Sequence, residues 1–111
     1  VKFVKEVVER YDGDGMEDAP NLIAPIKYWQ VENEPKRQRK DFAELQMLTY
    51  EAIKEACSDC KVIMGGLGVE QASEPDRFDS EIFPELKKLD GRYVDVFDFH
   101  WAGGAWKYNP E

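Results

Sequence analysis

Apolar and polar positions alternate along this chain with two periods, and the period changes five times. Val1, Val4, Val8 and Tyr11, with Phe3 and Val7 beside them, fall on one side of a helix. Lys2, Lys5, Glu6, Glu9 and Arg10 cover the other side, which predicts a helix over residues 1–11. Asp12-Gly13-Asp14-Gly15 stops it. Residues 26–34 read as a strand. Strict alternation puts Tyr28, Gln30, Glu32 and Glu34 on one side, and Trp29, Val31 and Asn33 on the other. Phe42, Leu45, Leu48, Ala52, Ile53 and Ala56 return to helical spacing over residues 41–57, with Asp41 placed to cap the start and Glu44 three residues on. Lys61-Val62-Ile63-Met64 is a short buried strand that runs out into Gly65, Gly66 and Gly68. Phe78, Ile82, Leu86 and Leu89 keep a helical spacing after Pro75-Asp76, with Pro84 starting a fresh turn or a kink. Residues 93–100 form a third strand, with Asp98 and His100 on one side, and an aromatic loop follows.

This alternation of helices and strands is the signature of an α/β fold with a parallel sheet, its strands joined by helical crossovers of about 25 residues. An aromatic strand such as Tyr28–Glu34 suits a barrel, with its outer side against helices and its inner side turning polar at the open mouth. A complete (β/α)8 barrel takes about 250 residues, and this chain has 111. Residues 1–111 are therefore expected to be one partial barrel segment, incomplete without flanking sequence.

Composition narrows the classes of function. The formal net charge of −8 disfavours nucleic acid, because the one basic cluster, Lys36 to Lys40, is too short to neutralise phosphates over a useful length. Hydrophobic residues make up 42%, yet no apolar run approaches the roughly 18 residues of a transmembrane span. The chain opens in mid-pattern without Met or an N-cap, so the absence of a targeting segment leaves secreted and cytoplasmic locations both open. Asp12, Asp14 and Asp18 are hard oxygen ligands at short spacing, but the closing Glu of a calcium loop is missing and plain turn chemistry accounts for them. No metal and no cofactor is expected. Cys57 and Cys60 have redox-motif spacing but end a helix instead of beginning one, and read as buried thiols or a local disulfide. The glycines at 65, 66 and 68 do not follow a phosphate-loop pattern and read as backbone freedom at a strand end.

The strongest chemical signal is Asn33-Glu34-Pro35 at the end of the first strand. Tyr28-Trp29-Gln30-Val31-Glu32-Asn33-Glu34-Pro35 resembles the fourth barrel strand of the clan A retaining glycoside hydrolases, which commonly carry Tyr-Trp-x-x-x-Asn-Glu-Pro there. Tyr50 to Ala56 followed by Lys61 to Gly66 is similar to that family's fourth helix and fifth strand. Val94 to His100 is similar to its sixth strand, which ends in a His at the active-site rim. The resemblance covers nearly the whole chain and corresponds to a segment from about the third helix to the sixth strand.

The resemblance implies that Glu34 is the general acid/base and that Asn33 hydrogen-bonds the sugar 2-hydroxyl. His100 would orient a carboxylate or a sugar hydroxyl, and Trp101, Trp106 and Tyr108 would stack on sugar rings. The substrate would be a carbohydrate. The chemistry needs a carboxylic acid of raised pKa that later ionises to activate water. It also needs a second carboxylate about 5 Å away as nucleophile. The family carries that group on the seventh strand, and no Glu or Asp of this chain takes the role. Glu32 stands where relatives often have Trp, and on the barrel side it would raise the pKa of Glu34 or adjust sugar preference.

Other readings of the same residues remain open. Glu34 can cap the next helix or pair with Arg37, His100 can be structural, and the aromatic loop can pack on neighbouring loops. The chain can also be a non-catalytic barrel segment that binds carbohydrate, or that associates with the remainder of a barrel or with itself through open sheet edges. A weaker alternative is a thiol-redox protein built on Cys57 and Cys60.

Overall fold

The computed structural model describes residues 1–33, 40–67 and 83–100. Helix α1 spans Lys2–Tyr11, strand β1 Tyr28–Val31, helix α2 Phe42–Ala56, strand β2 Lys61–Leu67, helix α3 Phe83–Leu89 and strand β3 Val96–Phe99. The three strands form one parallel sheet in sequential order β1-β2-β3, and helices alternate with strands along the chain. The α/β class read from the periodicity is what the chain adopts.

The register explains how the sheet is sided. Trp29 pairs with Val62 and Val31 with Met64, and these residues face the helices. Val31, Ile53 and Val62 pack with Val8 and the two cysteines in one cluster. Met64 packs with Phe42, Ala43 and Leu89 in a second. Burying side chains of this size contributes about 1.5–3 kcal/mol each, so the two clusters tie α1, α2 and α3 to the same face. Tyr28, Gln30, Ile63 and Val96 share the other face. Tyr28 and Gln30 are exposed there, and Ile63 and Val96 are half-buried.

Several boundaries differ from the sequence expectation, each for a physical reason. β1 stops at Val31 because Glu32 takes a left-handed backbone with φ 62°. The alternation therefore does not carry Glu32 onto the Gln30 side as a strand residue. β2 continues past Met64 through Gly65 and Gly66. β3 begins three residues late because Tyr93 has φ 64° and Asp95 bonds β2 partly by its side chain. Its backbone N–H donates to Val62 O (2.9 Å), while its carboxylate accepts the Val62 N–H (2.8 Å). Phe3, placed beside the apolar stripe of α1, is 75% exposed. Of the apolar sector of α1, Val4 and Val8 pack in the first cluster.

Asp41 is the N-cap residue of α2, but its side chain makes no cap hydrogen bond. The Ala43 N–H is instead accepted by Glu85 of α3 at 3.1 Å, and Glu85 is buried beside Lys88. Gln46, absent from the expected stripe, is fully buried and donates to Tyr93 O at 2.8 Å. Pro84 lies in the first turn of α3, where its missing N–H costs no intrahelical bond. The helical turns expected before it, at residues 76–82, lie outside the described residues. No helix among the described residues is long and apolar enough to cross a membrane.

Candidate functional site

Parallel strands bring their C-terminal ends to one edge of the sheet, and every polar group of interest there arrives by that route. β1 hands over to Glu32, whose carbonyl accepts a hydrogen bond from Gln30 Nε2 at 3.0 Å. Asn33 follows it and is exposed. A positive φ at a non-glycine residue costs about 1–3 kcal/mol and recurs at ligand sites, where surrounding structure holds it. Gly65 of β2 packs directly under this bend. A Cβ there would sit 3.0 Å from Glu32 O and closer still to Val31 O.

Gly66 plays the same part toward β3. A Cβ on it would lie 2.5 Å from His100 Cδ2 and 2.6 Å from Cε1. Neither glycine has a positive φ, unlike Gly13, Gly15 and Gly91. The expectation of backbone freedom at 65 and 66 is thus corrected. These glycines are required by the close approach of β1 and of His100, not by unusual dihedrals.

His100 Nε2 lies 2.9 Å from Asp98 Oδ2, and both side chains are about two-thirds buried. Asp98 is the site residue that sequence reasoning left without a role. Its signal was present in the i, i+2 spacing on one strand face. The structure therefore gathers the β1 end, the glycine pair, Asp98 and His100 at one rim, with Asn33 exposed beside Glu32. Glu34, Trp101, Trp106 and Tyr108, to which the sequence assigns catalysis and sugar stacking, lie outside the described residues.

The two alternative chemical sites resolve differently. Oxygens of Asp12, Asp14 and Asp18 lie within 4.8 Å of one another. Asp18 accepts N–H groups from Gly13 (3.0 Å) and Gly15 (2.8 Å), Asp14 from Met16 (2.7 Å) and Asp12 from Asp14 (3.3 Å). These bonds are the turn chemistry expected of Asp-Gly sequences. Glu9 nearby titrates above its ordinary range, through partial desolvation and repulsion from Asp14, Asp12, Glu17 and Asp18. Cys57 and Cys60 form a disulfide with both residues buried, at 3% and 0% exposure. Thiol exchange needs an accessible sulfur, which disfavours the redox reading. Comparison with known proteins finds no family model, no curated protein and no solved structure that matches the chain.

Proposed function

We propose that this chain is part of a (β/α)8 retaining glycoside hydrolase, with Glu34 as general acid/base and the nucleophile supplied from outside these 111 residues. The observation that carries the reading is the shared rim. The ends of β1 and β3, on either side of the glycines of β2, set Asn33, Asp98 and His100 at one edge of the parallel sheet, beside a strained Glu32. Catalytic groups of such barrels come from the C-terminal ends of different strands.

Two features of the sheet support the barrel. Among the described residues the strand order has no reversal, and α1, α2 and α3 pack on one face, as in a singly wound barrel; a doubly wound sheet covers both faces. On the helix-facing side of β3, Phe97 is 58% exposed beside a groove of about 330 Å³ lined by Leu86 and Arg92. The next βα unit of a barrel would cover this groove.

The deciding experiment compares wild type and Glu34→Gln in the full length that the gene encodes, on β-glycosides with poor leaving groups. General acid catalysis supplies about 10²–10⁴-fold, so kcat/KM should fall by that factor, and less for activated aryl glycosides. Equal activity in the two proteins would refute the assignment. Among the described residues β1 and β3 are edge strands, which favours a second reading, a non-catalytic segment that binds carbohydrate or pairs with another chain. Saccharide binding or self-association without hydrolysis, in wild type as in the variant, would select it.

A further inference from the structure

The rim carries a pairing that the proposed chemistry does not yet use. β3 presents Asp98 and His100 from one face, and the contact between them runs through a single atom, His100 Nε2. β2 meets that face with a bulge: the register passes from Met64↔Phe97 to Leu67↔Phe99, so three steps of β2 oppose two of β3. Bulges of this kind re-aim side chains beside functional sites. Gly66 lies inside the bulge. Of the ring atoms that a Cβ at 66 would meet, Nε2 is the nearest. The atom that Asp98 holds is therefore the atom that a side chain at 66 would displace.

A histidine at a strand end ordinarily samples several rotamers and two neutral tautomers. We propose that Asp98 and Gly66 are positioning residues that fix His100. The Asp98 carboxylate accepts Nε2–H, and the bulge at Gly66 gives the ring a flat seat. The imidazole then meets the ligand in one orientation and one tautomer. That the ligand is a sugar hydroxyl or a carboxylate of the glycosidase site rests on the function proposed above; the fixing of the ring does not.

His100 is the only histidine of the 111 residues, and in ¹⁵N-labelled full-length protein its imidazole signals are the set that disappears in His100→Gln. At a pH above the titration of the ring, wild type should show an Hε2 proton protected from exchange with water. Asp98→Ala should lose that protection by about tenfold or more, the factor set by a hydrogen bond to a charged group. Asp98→Asn keeps an acceptor oxygen and should retain most of it. Gly66→Ala should lose it as well, and the double variant should lose no more than either alone, because both changes act on Nε2. Protection unchanged in Asp98→Ala, or a dominant Nδ1–H tautomer in wild type, would overturn the proposal. Should Gly66→Ala not fold, the two Asp98 variants decide. In full-length protein Gly66→Ala should lower kcat/KM by about 10²-fold, the cost of misplacing a site group by about 1 Å. A wild type that hydrolyses no glycoside yet shows Asp98-dependent protection would sink the glycosidase reading and leave this one standing.

Discussion

The two ends of the sheet are built on different principles. At the N-terminal end, Lys61 N–H donates to Lys27 O across the strand starts, and the Cys57–Cys60 disulfide closes the turn between α2 and β2. Lys27 pairs with Asp59 at 3.2 Å. Lys54 donates both to Cys60 O and, at 2.8 Å, to Asp95. A covalent bond and paired charges thus lock α2 to all three strand starts. At the C-terminal end there are two glycines, a bulge, a left-handed Glu32, the exposed Asn33 and the Asp98–His100 pair. That end gives up regular pairing in order to bring polar groups together. The division matches the way barrels separate stability at one face from chemistry at the other. It also says where substitutions should unfold the protein and where they should disarm it.

Asp95 is the place to break the locked end. Burial alone would raise its carboxyl pKa, but the Lys54 ammonium, the Val62 N–H and the more distant charge of Lys61 outweigh that and hold it below the usual range. Asp95→Ala would leave the Val62 N–H without its acceptor and Lys54 with Cys60 O alone, a loss of about 3 kcal/mol, read as a lower denaturant midpoint. The sign of the pH effect follows. A folded-state pKa below the unfolded value gives stability that is fully present above the unfolded pKa of about 3.9 and is lost as pH falls through the depressed value. Wild type should therefore weaken on acidification from about pH 5 downward, and Asp95→Asn should weaken less steeply over the same range. Equal slopes would mean that Asp95 is not held in its charged form.

The disulfide and the cross-helix cap should give smaller losses. Closing a four-residue loop removes little chain entropy, and reduction or the double change of Cys57 and Cys60 to Ala should cost about 2 kcal/mol. A loss much larger than this would mean that the bridge holds native packing between α2 and β1 as well as restraining the unfolded chain. Glu85→Ala leaves the Ala43 N–H of α2 without its acceptor and should cost about 1 kcal/mol. Circular dichroism of the unfolding transition measures both.

Much of the helix-packed face of the sheet was legible in the sequence, because it is made of periodic elements. The stripe of α2 and the alternation of Tyr28 to Val31 follow from burial on one face, and burial has a period, although Leu48 of the expected stripe is 43% exposed. What was not legible is non-local. Asp41 and Glu44 look like a capping box, yet the group that caps α2 is Glu85, 42 positions away from Ala43. Lys54 and Asp95 meet only because β3 lies beside β2. At the rim, Gly65 and Gly66 read as the end of a strand because glycine is a poor strand former. Pairing continues through them, since the space that a Cβ would occupy is taken by the carbonyls of β1 and the ring of His100. Glu32 looked like one more alternating position, and nothing local announces its φ of 62°.

The sharpest form of the comparison comes from the smallest expected effect on stability. Asn33 is exposed and follows the last residue of β1 by two positions, so it lies outside both core clusters. Asn33→Ala should therefore change the unfolding free energy by less than about 0.5 kcal/mol, as exposed substitutions away from packed features do. Under the function proposed here the same change removes a hydrogen bond to the sugar that strengthens in the transition state, so kcat/KM of the full-length enzyme should fall with the fold intact. Loss of stability and activity together would place Asn33 with the structural residues and erase the contrast between the two ends. Loss of activity alone would fix the C-terminal rim as the working edge of the sheet.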